Sequence, residues 1–313
     1  MNYRSLNDLS TLINDHAGNF PRDIELVVGA SRGGMLVANI IALKLNQPSM
    51  ELQVLLRDDA SSTPAAQKIL LVDDCLATPD SILQARRRIE AHCCASVTTL
   101  VAFAEREHVL GIDLVLEVLE HPRIYEWNIM HHPLVGATCF DIDGVLCVDP
   151  TQAENDDGAG YRHFLRTARP LHIPSLPIAH LVTSRLEKYR AETEEWLERN
   201  GVRYGTLHML DLPSAAERRR LNMHHKFKAQ VYRNDPQAQL FIESEKAQAI
   251  EIMRTTGKPV FCIETNRMYV HGMKQKELGT TRAGGLRKAL GKARRLPRKV
   301  VDSALARLMP VAQ

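Results

Sequence analysis

The 313-residue chain contains no apolar run that approaches the roughly 20 residues needed to cross a bilayer as a helix. Its first ten residues, MNYRSLNDLS, have neither a basic segment nor an apolar core. This predicts no secretory leader and a cytoplasmic location. The six cysteines (Cys75, Cys93, Cys94, Cys139, Cys147 and Cys262) show no CxxC pairing, and several fall inside apolar, strand-like runs. They read as reduced, mostly buried thiols. The pairs His131-His132 and His224-His225 lack the spacing of metal ligands, which argues against a zinc site. Internal repeats and low-complexity linkers are also missing, so two abutting domains are expected from the length.

What is present is an uneven distribution of charge. The net charge is +3, yet from Lys274 onward there are eleven Lys and Arg against two acids, Glu277 and Asp302. The body is therefore mildly acidic and the tail strongly basic. Leu286, Ala289, Leu290, Ala293 and Leu296 make a narrow apolar stripe in that tail, and a second follows Pro297. A helical tail fits a membrane surface or nucleic acid, or simply packs on its own body with a solvated charged face.

The body alternates strand-like and helix-like stretches. Ile24–Val28, Ile69–Val72, Thr98–Phe103 and Leu114–Leu119 read as strands, with a helix over Met35–Leu45. A second series contains strands at Thr138–Ile142, Ala179–Val182, Gln239–Ile242 and Pro259–Ile263, and a helix over Leu186–Asn200 ended by Gly201. Such alternation predicts an α/β protein of two domains, each a mainly parallel sheet flanked by helices. The expected divisions are 1–135, 136–272 and a basic helical tail over 273–313.

Ligands of parallel sheets bind beyond the carboxyl ends of the strands. Two loops stand at such ends in the first domain. GASRGG, Gly29 to Gly34, offers close backbone approach, the charge of Arg32 and a following helix N-terminus. ILLVDDCLATPDS, Ile69 to Ser81, places Asp73 and Asp74 at a strand end before a short loop of small polar residues. Together the two loops resemble the pyrophosphate loop and the 5-phosphoribosyl 1-pyrophosphate (PRPP) signature of type I phosphoribosyltransferases. That resemblance implies ribose contacts at Asp73 and Asp74. It places the 5-phosphate over Ala77, Thr78, Asp80 and Ser81, and pyrophosphate over Ala30, Ser31, Arg32 and Gly33. Pro79 stands where the family usually has glycine and removes one N–H from the phosphate loop. Tyr125 and Trp127, in RIYEWN, are candidates to stack on an acceptor base or to serve as core packing.

CFDIDGVLCVDP, Cys139 to Pro150, sets two aspartates two residues apart after an apolar strand. In extended geometry both carboxylates face one side, so one can attack phosphorus while the other handles a proton. DIDGVLC resembles the first motif of the haloacid dehalogenase (HAD) phosphohydrolases. LVTSR, HHKFKAQVY and LFIESE follow in that family's order. The resemblance implies Asp141 as nucleophile, Asp143 as acid/base, Thr183 (or Ser184) on the phosphoryl group and Lys228 (or Lys226) as neutralising cation. It also implies Mg²⁺ held by Asp141, Asp143 and Glu243, with Glu245 as a further acid. Glutamate stands where the family more often has aspartate. The short insert before Thr183 leaves room for a small cap, with Tyr161, Arg162, Asp156 and Asp157 expected to face substrate or solvent.

The combined expectation is a bifunctional enzyme: phosphoribosyl transfer from PRPP to an unidentified acceptor, coupled to hydrolysis of a phosphomonoester. The alternatives are a PRPP- or nucleotide-sensing domain that regulates the phosphatase, and transfer to a glycan or lipid precursor. A homodimer is a further candidate assembly.

Overall fold

The protein is described by a computed structural model covering residues 1–57, 66–76, 79–274 and 277–278. Ala77 and Thr78 of the expected phosphate loop, and the expected helix of the basic tail, lie outside the described residues. The chain divides into two compact units, Met1–His132 and Pro133–Gln313.

Unit 1 runs β1 (Asn2–Arg4), α1 (Leu6–Asp15), β2 (Leu26–Gly29), α2 (Arg32–Leu45), β3 (Ser49–Glu51), α3 (Leu52–Leu55), β4 (Lys68–Cys75), α4 (Pro79–Cys93), β5 (Ser96–Ala104), β6 (Leu114–Val118) and β7 (Arg123–Tyr125). Five of these strands form a wholly parallel sheet in the order β3-β2-β4-β5-β6. A separate parallel pair joins β1 to β7.

The central strand shows why the pattern folds this way. Successive residues of β4 face opposite sides of the sheet. Leu70 and Val72 pack with Val37 and Ile41 of α2 and Leu9 and Ile13 of α1. Ile69 and Leu71 pack with Leu52 and Leu55 of α3 and Ile82 and Ile89 of α4. A strand covered on both faces needs apolar residues at every position, which is why ILLV reads as an unbroken run.

Unit 2 runs β8 (Thr138–Phe140), α5 (Ala159–Thr167), β9 (Ile178–Leu186), α6 (Arg190–Arg199), β10 (Tyr204–Leu210), α7 (Ala215–Arg220), α8 (Met223–Asn234), β11 (Leu240–Glu243), α9 (Lys246–Thr256), β12 (Val260–Cys262) and β13 (Arg267–Tyr269). The sheet order is β10-β9-β8-β11-β12-β13, parallel except for the antiparallel edge strand β13. Strand β8 lies between β9 and β11, so the chain leaving β8 emerges beside the ends of both neighbours. Helix α5 belongs to the insert between β8 and β9. It is tied to α6 by Trp196, whose Nε1 donates to the Ala168 carbonyl at 2.7 Å.

The helix expected from Leu186 begins at Arg190 instead. Leu186 still belongs to β9, and a short 3₁₀ turn over Glu187–Tyr189 intervenes.

Candidate functional sites

In unit 1 the two acids lie inside β4 rather than beyond it, at 8% and 6% exposure for Asp73 and Asp74. As neighbours on a strand they project to opposite faces. Asp73 Oδ1 accepts from Ser31 Oγ at 2.5 Å and from the Asp74 N–H at 3.0 Å. Ser31 caps α2 by accepting from the Gly34 N–H at 2.9 Å. Asp74 Oδ2 accepts from Trp127 Nε1 at 2.7 Å, and Oδ1 accepts from the Cys75 N–H at 2.9 Å.

The two glycines after Ser31 permit this closeness. A Cβ at Gly33 would overlap the Asp74 carboxylate, and one at Gly34 would lie 2.7 Å from the Val72 carbonyl. Arg32 is exposed, and Ala30 donates its N–H to Val72 at 2.9 Å.

Burial pushes the Asp73 carboxyl up to about 7, and the Asp74 charge adds to this against the pull of the Ser31 and backbone hydrogen bonds. Arg123 is buried and donates to the carbonyls of Leu119 and Leu76 at 3.0 and 3.2 Å. Tyr125 and Trp127 stack on each other at 4.9 Å, and Tyr125 stacks on Phe103 at 5.0 Å. Their mutual packing, with Tyr125 only 1% exposed, makes them a core stack.

Asp80 and Ser81 belong to the first turn of α4 instead of a loop. Pro79 is the first residue of that helix, where its missing N–H has no intrahelical partner to lose. The proline is thus a helix-start residue, not only a lost phosphate contact.

In unit 2 the expected residues Asp141, Glu243 and Lys228 converge and meet Gln248, which the sequence does not mark. Asp141 follows β8, Glu243 ends β11, Lys228 comes from α8 and Gln248 from α9. Lys228 Nζ donates to Asp141 Oδ2 at 2.7 Å, to Glu243 Oε2 at 2.8 Å and to Gln248 Oε1 at 3.1 Å. Asp141 Oδ1 accepts from the Ile142 N–H, and Glu243 Oε1 accepts from the N–H groups of Ser244 and Glu245. Gly144 makes the sharp turn after the two aspartates with φ +74°, and a Cβ there would lie 2.5 Å from that of Ser244.

Asp143 turns to Arg185, which donates from Nη2 at 2.7 Å and Nε at 3.1 Å. Burial raises the Asp143 carboxyl, but the Arg185 charge and hydrogen bonds outweigh it and hold the group below the usual carboxylate range. Asp141 has no comparable relief. Burial pushes it well above that range, Lys228 opposes this, and Glu243 and Asp143 reinforce it. Lys228 stays protonated, because the two carboxylates outweigh its own burial.

Thr183 is buried, with its Oγ1 accepting from the Arg185 N–H at 3.2 Å. Ser184 Oγ donates to the His224 carbonyl at 3.4 Å. Lys226 is turned away and donates to the Leu221 carbonyl, so Lys228 is the lysine at the acids.

Two buried carboxylates (Asp141 and Glu243) and the half-buried Asp143 meet two cations (Lys228 and Arg185). Among the described residues no three His, Cys, Asp or Glu side chains are grouped so that they could hold a metal ion. Even so, the oxygen donors of Asp141 and Glu243 suit a hard divalent cation such as Mg²⁺.

The insert residues expected to face substrate are held by the fold instead. Asp156 accepts from the N–H groups of Gly158, Gly160 and Tyr161. Asp157 takes the Tyr189 hydroxyl and the Ala215 N–H, and Arg162 pairs with Glu192. Tyr161 is buried against Phe164 and Tyr189. Conversely, Arg185, Gln248 and Trp127 were not singled out for these contacts. Arg185 sits inside β9, where a charged residue 1% exposed requires a counter-charge.

No protein-family model matches this chain, and no curated protein matches it. Among solved structures it is similar to Helicobacter pylori xanthine-guanine-hypoxanthine phosphoribosyltransferase, at 14% identity over 41% of this chain and 92% of that one, with a TM-score of 0.34. It is also similar to a purine phosphoribosyltransferase from Pyrococcus horikoshii, at 13% identity over 40% of this chain and 92% of that one, with a TM-score of 0.33. A chain of the Pnkp1/Rnl/Hen1 complex matches at 15% identity over 84% of this chain and 87% of that one, with a TM-score of 0.28.

The raised Asp73 carboxyl has a consequence for stability. An unfolded aspartate ionises near about 3.9, whereas the folded site keeps its proton up to about 7. Between these values the folded state binds the extra proton, so the stability this site contributes is present at low pH and is lost as pH rises toward 7. Urea unfolding of wild type and Asp73→Asn at about pH 5 and about pH 7.5 reads this directly. Wild type should lose stability relative to the variant as pH rises, and a constant difference would contradict the raised carboxyl.

Proposed function

We propose that unit 2 is a HAD-type phosphomonoester hydrolase that works through a phosphorylated aspartate. The observation carrying this reading is the Lys228 ammonium fixed between Asp141 and Glu243, with Asp143 two residues beyond the nucleophile. Asp141 Oδ attacks phosphorus, the P–O ester bond breaks with its electron pair going to the ester oxygen, which takes a proton from solvent water because Asp143 is ionised, and an aspartyl phosphate forms. Water then attacks that phosphorus as Asp143 takes a proton from it, and phosphate departs while the Asp141 carboxylate is restored. Arg185 keeps Asp143 aimed in one direction and in the ionised state needed by the second half-reaction. Thr183 holds a transferring oxygen, and Lys228 neutralises charge on Asp141 and the phosphoryl group. Asp141, Glu243 and the Asp143 carbonyl would hold Mg²⁺, which supplies positive charge to the phosphoryl group when bound.

For unit 1 we propose a module that binds PRPP or a related nucleotide through the Ser31–Gly34 turn, Asp73 and Asp74. The acids already receive hydrogen bonds from Ser31, Trp127 and backbone N–H groups. A ligand hydroxyl shares the remaining acceptor sites of these carboxylates, and Pro79 leaves the phosphate loop one N–H short, which favours binding without transfer. The phosphate side would fall to Ala77, Thr78, Asp80 and Ser81.

Asp141→Asn should lower hydrolysis of p-nitrophenyl phosphate in Mg²⁺ by on the order of 10³-fold or more, because the amide cannot attack phosphorus. Circular dichroism should show the fold retained. Activity near wild type would take the nucleophile role from Asp141.

For unit 1, isothermal titration should detect PRPP binding that is lost in Asp73→Asn/Asp74→Asn, with no pyrophosphate released from PRPP and a panel of free bases. Catalytic pyrophosphate release would restore the transferase reading.

A further inference from the structure

Beside the strand end that carries Thr183 lies a buried cation that the hydrolase reading leaves unused. Arg218, on α7, is 8% exposed. Its Nη1 donates to the carbonyl of Ser184, the residue after Thr183, at 2.6 Å. Its Nε is buried and donates to nothing among the described residues. The other buried arginine of this unit, Arg185, is bound at two points by Asp143. No carboxylate among the described residues does this for Arg218. A buried guanidinium lacking a counter-charge is costly, and its Nε edge presents a two-donor fork suited to an oxyanion.

The surroundings share the same sign. Residues 218–228 hold five cations (Arg218, Arg219, Arg220, Lys226 and Lys228) and no acid. Among the described residues only Arg220 of these is ion-paired, with Glu217 just outside the run, apart from Lys228 on Asp141 and Glu243. His224 is pushed down to about 4 by burial, with the Arg218 and Lys228 charges adding to it, so it is neutral at pH 7 and offers no counter-charge.

We propose that Arg218 forms an anion subsite beside the transferring phosphoryl group, so that the substrate of unit 2 carries a second phosphate-type anion next to its scissile phosphomonoester. The proposal rests on the hydrolase reading of unit 2. The second anion is either the other phosphate of a small bisphosphate or a phosphodiester beside a terminal phosphate.

The test follows phosphate release by the full chain from three compounds: p-nitrophenyl phosphate, adenosine 3′,5′-bisphosphate and a dinucleotide with a terminal phosphate. Wild type should favour at least one two-anion compound over p-nitrophenyl phosphate by about tenfold or more in kcat/KM, the scale of one charge-assisted hydrogen bond. The favoured compound identifies the source of the second anion. Arg218→Gln should collapse the preference, chiefly through KM, whereas exposed Arg219→Gln on the same helix should keep it. A wild type without preference, or a folded Arg218→Gln that retains it, overturns the subsite.

If Arg218→Gln does not fold, inhibition of wild-type p-nitrophenyl phosphate hydrolysis decides. Adenosine 3′,5′-bisphosphate should inhibit more strongly than adenosine 5′-monophosphate, and equal inhibition overturns the subsite. Absence of phosphate release from all three compounds instead contradicts the hydrolase reading. The subsite is then read by titrating adenosine 3′,5′-bisphosphate into wild type and Arg218→Lys, which has no guanidinium fork, and equal affinities overturn it.

Discussion

The arrangement of unit 2 turns on one buried ammonium. Lys228 is 2% exposed and spends its three N–H donors on Asp141, Glu243 and Gln248. These groups come from four different elements, and β8 and β11 must be sheet neighbours for the two carboxylates to meet over one cation. The acids would repel each other and resist burial without it. Removing one partner of such a buried pair typically costs about 3–5 kcal/mol. The lysine therefore links sheet order, helix placement and site charge. Gln248 is itself oriented by the hydrogen bond its Nε2 donates to Glu245 Oε2 at 2.8 Å, which turns its oxygen toward the ammonium.

The two units treat paired acids in opposite ways. In unit 2 Asp143 is met by a guanidinium and is held ionised. In unit 1 Asp73 is met by a hydroxyl and a backbone N–H, which are too weak to offset burial, so its carboxyl rises to about 7. Charged partners suit a site that moves a phosphoryl group, where charge must be present before substrate arrives. Neutral partners suit a site where ligand hydroxyls exchange with protein donors at little electrostatic cost. The same residue type thus supports different chemistry because its partners differ.

Much of this was readable along the chain, for a physical reason. Strands buried on both faces read as unbroken apolar runs, so the central positions of β4, β5, β9 and β11 could be placed. Three-residue strands such as β1, β3 and β7 carry too few residues for any period to show. The clustering of Asp141, Glu243 and Lys228 was legible because the order of these motifs along the chain is distinctive. The partners that fix them were not, because they lie far away in sequence: Arg185 is 42 residues from Asp143, and Trp127 is 53 from Asp74. Asp156, Asp157 and Arg162 look from sequence like solvated or substrate-facing charges. Their acceptors and donors in helix α5 and its neighbours make them structural. Pro79 reads as a defect against a phosphate loop and as an ordinary first residue once α4 is seen to begin there.

The central claim is that phosphorus passes through the Asp141 carboxylate, and rapid acid quenching followed by peptide mass spectrometry tests it most directly. During turnover of a phosphomonoester with Mg²⁺, the peptide containing Asp141 should gain one phosphoryl group that hydroxylamine removes, as it does acyl phosphates. A phosphoryl group on another residue, or turnover with no phosphorylated peptide at any quench time, would contradict the account.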